Sequence, residues 1–262
     1  MESVSPRITG IDLMVADLAR AVAFYAGLGF TANAGSPTRR TLSFGAFTLG
    51  LDAATKSAGP YPVARQANDP WFQHFCIAVA DMPRAFAVLD GLGATPVSRG
   101  GPQLLPPSTG SVVACKFHDP DGHPLELSFI PGSDWLRDSS AGTVFLGVDH
   151  TALAVASLDA SIAFYEALGF AVSGRFLNTG PEQDRLDGLD GVALDIVAMS
   201  LPAGPHLELL RYRAPAPVAA AAIGEGDIAA TRTIIGGSTG ALRTLRDPDG
   251  HLITMRASAA GA

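Results

Sequence analysis

The segments ADLARAVAFYAGLGF at residues 16–30 and ASLDASIAFYEALGF at residues 156–170 are two copies of one stretch, and they decide the fold. A third, weaker copy, ADMPRAFAVLDGLGA, occupies residues 80–94. A second motif, DPDGH, occurs at residues 119–123 and again at residues 247–251. Repetition on this scale is typical of a chain built from repeated supersecondary units. The sequence therefore predicts two related halves, the first of which consists of two related modules.

Each copy predicts the same local structure. An alternating apolar stretch comes before each copy and indicates a half-buried strand. Asp17, Asp81 and Ser157 stand at the N-cap positions of the helices that follow. Each helix is expected to end at Leu-Gly, where glycine can adopt the left-handed conformation. Short strands come next, and the Asp-Pro-Asp-Gly turns join two of them as a hairpin. The repeated unit is therefore βαβββ.

The predicted fold class is α+β, with four βαβββ modules that form cup-shaped sheets. Modules one, two and three cover about residues 7–65, 71–131 and 146–213. The first two belong to an N-terminal half, residues 1–135, and the third belongs to a C-terminal half, residues 143–262. Residues 131–142 read as the linker between the halves.

Module four, about residues 224–258, is predicted to be truncated. Its first strand is expected at residues 224–233, and its last two strands at residues 241–246 and 252–256. Only residues 234–240 lie between, which is too short for a helix and a strand. The fourth module is therefore expected to lack its helix.

Composition excludes several classes of protein. The chain has 262 residues, 47% of them hydrophobic and 16% charged, with a net charge of −7. An acidic balance argues against nucleic acid or an acidic membrane surface as partner. No apolar run reaches the length of a bilayer span, and two cysteines could form at most one disulfide. We expect a cytoplasmic protein that acts on a small-molecule substrate as a monomer or homodimer.

The register of the repeats selects four candidate metal ligands. His74 and His150 occupy one position on the first strands of modules two and three, and Glu126 and Glu208 occupy one position on the last strands. The corresponding residues of modules one and four are Gly10, Gly50, Ala230 and Thr254. Strand alternation turns all four ligands away from the helices. A single His or Glu in a strand is more often a surface residue, but matched positions in two repeats favour a site for one divalent cation.

The pairing of the modules decides whether these ligands meet. If module one pairs with two and three with four, each cup holds one His and one Glu. If two pairs with three and one with four, all four side chains lie in one cup. We expect the second arrangement.

Other polar residues receive structural interpretations. Cys76 is expected in the pocket wall or core, because no activating partner is evident. The turn-forming aspartates are Asp119, Asp121, Asp247 and Asp249, and the histidines expected in loops or at the rim are His118, His123, His206 and His251.

Paired βαβββ units with FYxxLGF and DPDGHPLEL resemble the vicinal oxygen chelate superfamily, over nearly the whole chain. The resemblance implies metal ligands on the first and last strands of paired modules, at the positions of His74, Glu126, His150 and Glu208. One divalent ion is implied, with zinc, nickel, cobalt, iron and manganese all open. The order His-Glu-His-Glu is similar to that of glyoxalase I. The His-His-Glu triad of extradiol dioxygenases is broken here by Ala230 and Thr254.

The resemblance implies a metal-dependent lyase or isomerase that acts on vicinal oxygens through an enediolate. Glu208 or Glu126 would move the proton. Residues 178–183 (NTGPEQ) are expected to lie in a strand-poor stretch that covers the pocket or stays in solvent. The substrate contacts that we expect are Cys76, Asn178, Glu182, Gln183, Arg211 and Tyr212. The alternatives are a sequestering small-molecule binding or resistance protein and, less favoured, a ring-cleaving dioxygenase.

Overall fold

The structure of the protein is a computed structural model that describes residues 5–62, 65–137, 139–218, 223–238 and 242–257. The helices are α1 (Leu18–Gly27), α2 (Met82–Leu92), α3 (Asp134–Arg137), α4 (Leu158–Glu166) and α5 (Pro181–Asp187). The strands are β1 (Arg7–Val15), β2 (Thr31–Ala32), β3 (Arg39–Phe44), β4 (Phe47–Ala53), β5 (Phe72–Val79), β6 (Thr95–Pro96), β7 (Gln103–Leu104), β8 (Val113–His118), β9 (Pro124–Phe129), β10 (Phe145–Ala154), β11 (Ala171–Thr179), β12 (Ala193–Ser200), β13 (His206–Ala214), β14 (Arg232–Ser238), β15 (Arg243–Arg246) and β16 (Leu252–Ala257). The α+β class is confirmed.

The helices begin where the sequence predicts. The Asp17 carboxylate accepts hydrogen bonds from two backbone N–H groups in the first turn of α1, and the side chains of Asp81 and Ser157 each accept one such bond at the start of α2 and α4. Gly93 ends α2 in the left-handed conformation, with φ of 76°. Among the described helices, none is long and apolar enough to cross a membrane.

Two sheets carry the fold. One has seven strands in the order β15-β16-β14-β1-β4-β3-β2. The other has the order β11-β12-β13-β10-β5-β9-β8-β6, with β7 paired to β8. Module one therefore pairs with four through β1 and β14, and module two pairs with three through β5 and β10. Each sheet takes strands from both predicted halves. The half boundaries at residues 135 and 143 therefore describe the sequence repeat and remain a prediction with respect to domains.

The two repeated motifs contact each other. The Tyr25 hydroxyl donates to Asp119 Oδ2 at 2.8 Å, and Tyr165 donates to Asp247 Oδ2 at 3.1 Å. The other Asp119 oxygen accepts the backbone N–H of His123 inside the turn. The helix of module one is thus fastened to the turn of module two, and the helix of module three to the turn of module four.

The first strand of module four lies later than predicted. It is β14, Arg232–Ser238, and the expected strand at residues 224–233 is wrong. Its early part forms a turn instead, because the Asp227 carboxylate accepts the backbone N–H groups of Gly224 and Gly59. The described residues of this module include no helix, as expected, while residues 239–241 and 258–262 lie outside the described part of the chain.

This shift changes one aligned position. In module two, Cys76 lies opposite Glu126, two residues after His74. In module four, Ile234 lies opposite Thr254, so the residue that corresponds to His74 is Arg232. The assignment of Ala230 to that position is wrong.

Two further elements depart from expectation. The stretch expected to be strand-poor contains the end of β11 and the start of α5, which follows it after one residue. The helix α5 contacts β7, β8 and β11, and so bridges the two ends of the larger sheet. The linker between the halves contains the short helix α3.

Candidate metal centre

The four ligand candidates lie in one cup. Because β5 and β10 are antiparallel neighbours, His74 and His150 approach each other, with their Nε2 atoms 3.0 Å apart. Glu126 Oε2 lies 3.5 Å from His74 Nε2, and Glu208 Oε2 lies 3.7 Å from His150 Nε2. His74, Glu126 and His150 are buried and Glu208 is partly exposed. The sheet order therefore creates the arrangement expected from the second pairing.

A β-bulge precedes each histidine. In the pairing of β5 with β10, Ala152 lies opposite His74 and Leu153 lies opposite Phe72, which leaves Gln73 as an extra residue. Asp149 is skipped in the same way, between Val148 and His150. A bulge re-aims the side chain of its extra residue. Both extra residues contact the histidine that follows them, although strict alternation would turn them to the other face.

These contacts orient both imidazoles. The Gln73 amide nitrogen donates to Ala67 O at 3.0 Å and to the Tyr212 hydroxyl at 3.2 Å, so Gln73 Oε1 accepts the Nδ1–H of His74. Asp149 Oδ2 accepts the Nδ1–H of His150 at 3.0 Å. An Nδ1–H held in this way leaves the Nε2 lone pair free for a metal.

The two histidines differ in basicity. Burial, together with the charges of Lys116 and His150, holds the pKa of His74 well below its usual range. Burial also lowers the pKa of His150, but Glu208, Cys76 and Asp149 outweigh it and raise the pKa well above the usual range. When the pair carries one extra proton, that proton therefore lies on Nε2 of His150 and points at Nε2 of His74.

The two carboxylates have different surroundings. Burial raises the pKa of Glu126, against the opposing effect of the Lys116 ammonium, whose Nζ lies 3.9 Å from Oε2. Ser128 donates to the other Glu126 oxygen at 2.6 Å. Burial also acts to raise the pKa of Glu208, but His150 and His206 outweigh it and lower the pKa. Glu208 Oε1 lies 3.5 Å from His206 Nε2.

The four side chains open into a cavity of about 420 Å³. Its wall is mainly apolar and includes Leu105, Val112, Phe176, Leu186, Leu194, Ile196 and Leu210. Of the six predicted substrate contacts, Asn178 and Gln183 line the cavity. This volume suits a small organic molecule.

The other four predicted contacts lie outside the cavity lining. Cys76 is fully buried between the ligand strands, and burial raises the pKa of its thiol to about 12; Cys76 and Cys115 form no disulfide. Tyr212 is buried and donates to Asp187 at 3.1 Å. Glu182 pairs with Arg185 at 3.6 Å, and Arg211 pairs with Asp195 at 3.7 Å.

Five residues of the site were not selected from the sequence: Gln73, Lys116, Trp135, Asp149 and His206. Trp135, from the linker, donates its indole N–H to Asp149 at 2.7 Å. His206, expected in a loop or at the rim, begins β13, and its ring centroid lies 4.9 Å from that of His150. A polar residue directly before each histidine, as in QH and DH, was the available signal for Gln73 and Asp149.

The opposite cup is built differently. Gly50 lies opposite Asp12 there, and a Cβ on Gly50 would lie 2.0 Å from Asp12 Oδ1. The Asp12 carboxylate accepts from Arg39 at 2.7 Å and from Arg256 at 3.0 Å. An ion-pair cluster therefore occupies the space that the metal ligands occupy in the first cup.

The donor set of the first cup fits a divalent transition metal. Ligand atoms bonded to one ion at about 2.0–2.2 Å lie roughly 3.0–3.5 Å apart. The separations of 3.0 and 3.5 Å among His74, Glu126 and His150 lie in this range, and the 3.7 Å between His150 and Glu208 lies just above it. Two imidazoles with two carboxylates are ligands that first-row ions accept.

Trp135→Phe is expected to weaken the affinity for a divalent metal by about tenfold, because Asp149 then loses the donor that orients it toward His150. Competition with a fluorescent zinc chelator measures this change. Trp71→Phe is the matched control, since Trp71 packs on Tyr61 and does not line the cavity of the four ligands. Equal affinities for the two variants would contradict the role of Trp135.

The fold and the cup define a class of proteins with paired βαβββ modules and a His/Glu centre between two of them. The family model of the Glyoxalase/Bleomycin resistance protein/Dioxygenase superfamily matches residues 7–127 and 147–230. The chain belongs to this superfamily.

Solved structures show the same fold. A mutant of glyoxalase I from Zea mays is similar with a TM-score of 0.64 and 20% identity, covering 97% of this chain and 94% of that one. A Bacillus subtilis protein, for which a dioxygenase function has been suggested, is similar with a TM-score of 0.60 and 16% identity, covering 98% and 86%. No curated protein matches the chain.

Proposed function

We propose that the protein is a divalent-metal-dependent lyase or isomerase of the glyoxalase type, acting on a small substrate with vicinal oxygens through an enediolate. The observation that carries this proposal is the pair of facing Nε2 atoms 3.0 Å apart. The contacts of Gln73 and Asp149 turn the Nε2 atoms of both histidines to one point, so a metal ion can replace the proton that the two atoms otherwise share.

His74, Glu126, His150 and Glu208 would hold one ion, with zinc, nickel, cobalt, iron and manganese as candidates. When bound, the ion supplies positive charge where negative charge develops on two neighbouring substrate oxygens. The protein contributes the orientation of the ligands and the exclusion of water by the apolar wall.

The carboxylates would move the proton. Glu126 and Glu208 lie on the two outer sides of the histidine pair, on β9 and β13. One of them would take the proton from the first carbon, and a carboxyl group would return it to the neighbouring carbon. The Lys116 ammonium stabilises the ionised form of Glu126, and His206 stabilises that of Glu208.

The proposal is tested with the hemithioacetal of phenylglyoxal and 2-mercaptoethanol, whose isomerisation to the α-hydroxy thioester is followed by absorbance. Protein reconstituted with each candidate metal is expected to hold about one ion per chain and to form the thioester. Failure to retain any of these metals would overturn the proposal. Retention of metal without turnover, with tight binding of apolar compounds, would favour the sequestering alternative, for which the apolar cavity is the supporting observation.

Glu126→Gln is expected to keep the metal but lower kcat by about 10²–10⁴-fold, because the amide cannot accept the proton. Metal content and kcat are measured on the same sample. Glu166→Gln, at the exposed end of α4, is the matched control and should leave kcat unchanged. A Glu126→Gln variant with full kcat would assign the proton transfer to Glu208.

A further inference from the structure

The wall of the cavity has little positive charge to offer a ligand. Among its described lining residues, Lys116 is the one lysine or arginine, while Glu126, Asp149 and Glu208 supply carboxylates. The remaining polar lining groups are hydroxyls, amides and imidazoles. An anionic substituent on a ligand would therefore depend on Lys116.

Lys116 is already paired. Its Nζ lies 2.7 Å from Asp187 Oδ1 and 3.9 Å from Glu126 Oε2. The Asp187 side chain has no exposed surface and is fixed on its other oxygen by Tyr212 at 3.1 Å and by Gln183 at 2.9 Å. The ammonium charge is thus neutralised by protein carboxylates before any ligand enters.

The nearby arginines face elsewhere. Arg185, on α5, donates through Nε to Gln103 at 2.7 Å, and Arg211 pairs with Asp195 at 3.7 Å. Neither lines the cavity. An ionised group that enters such a wall loses its hydration and meets hydroxyl and amide groups but no free lysine or arginine among the described lining residues, which is unfavourable.

The geometry points to an uncharged substrate: a small molecule with two neighbouring oxygens at the metal end and an apolar aliphatic or aromatic body without carboxylate or phosphate groups. Asp187 is the specificity-determining residue, because it neutralises Lys116 from behind. The inference that the substrate has two neighbouring oxygens rests on the proposed function. The inference that its body is uncharged rests only on the residues of the cavity wall.

The test compares two chelating probes on the zinc-loaded protein by calorimetry. Benzohydroxamic acid is expected to bind at least about tenfold more tightly than 4-carboxybenzohydroxamic acid, which differs by one ionised group. Asp187→Asn should free Lys116 and narrow this ratio, while Asp195→Asn, on the other face of the sheet, should leave it unchanged. Equal or tighter binding of the carboxylate probe by the unaltered protein would overturn the inference.

A second pair separates this inference from the proposed function. 2-Naphthol and 2-naphthoate carry no chelating group, so their binding to the metal-free protein reports the cavity wall, including the side chains of the four metal ligands, without metal coordination. Tighter binding of naphthol supports an uncharged ligand even where zinc is not retained. Tighter binding of naphthoate would contradict the inference even where zinc is retained.

Discussion

His150→Ala is expected to abolish stoichiometric binding of a divalent metal and to weaken the remaining affinity by more than about 100-fold, beyond the loss typical of an outer-shell contact. His150 is the centre of the cluster, since its Nε2 lies 3.0 Å from His74 Nε2 and 3.7 Å from Glu208 Oε2. Its removal leaves one imidazole and two separated carboxylates. Dialysis against zinc followed by elemental analysis measures the change.

The matched control for this variant is His118→Ala. His118 ends β8 and does not line the cavity, so its removal should leave one ion per chain. His74→Ala should behave like His150→Ala, because the two residues occupy corresponding positions. Full metal content in both His74→Ala and His150→Ala would contradict the assignment of the centre.

Asp119→Ala is expected to lower the free energy of unfolding by about 3 kcal/mol. The carboxylate accepts the Tyr25 hydroxyl and the backbone N–H groups of Asp121 and His123. Hydrogen bonds to charged groups contribute about 1.5–3 kcal/mol each, and three that share one carboxylate are not additive. Urea denaturation followed by circular dichroism measures the loss.

The second copy of the motif provides an internal comparison. Asp247 accepts from Tyr165, Asp249 and His251 in the same pattern, so Asp247→Ala should cost a similar amount. Asp90→Ala, on the exposed side of α2, is the control and should change stability by less than about 0.5 kcal/mol. A loss below about 1 kcal/mol for Asp119→Ala would contradict the role of the motif as a clasp between modules.

The repeats predicted most of the architecture. Two copies of FYxxLGF implied the module, and the matched positions of His74 and His150 implied a shared centre, which the antiparallel pairing of β5 and β10 produces. Alternation was enough for these residues because each lies two positions before the residue that is opposite its glutamate, Cys76 opposite Glu126 and Ala152 opposite Glu208.

Alternation was not enough for Gln73 and Asp149. Each is the extra residue of a bulge, and a bulge depends on the pairing of two strands that are distant in sequence. Trp135 reaches Asp149 from the linker, and Lys116 reaches Asp187 from another module, so neither contact follows from local periodicity. These residues surround the ligands, and long-range packing determines where they lie.

Module four was misread for a similar reason. The alignment of the repeats placed a strand over the segment before β14, but the turn around Asp227 delays the strand. The resulting two-residue shift places Arg232 rather than Ala230 at the position that corresponds to His74. Module four still offers no metal ligand at that position, since neither residue type binds metals.

Modules two and three are proposed to build one metal centre from His74, Glu126, His150 and Glu208. Anomalous diffraction at the zinc edge from crystals grown with zinc tests it most directly. One strong peak is expected at about 2.0–2.2 Å from Nε2 of His74 and His150. A peak on the neighbouring group of Asp149, His150 and His206 without His74, or no peak in the cup, would contradict it.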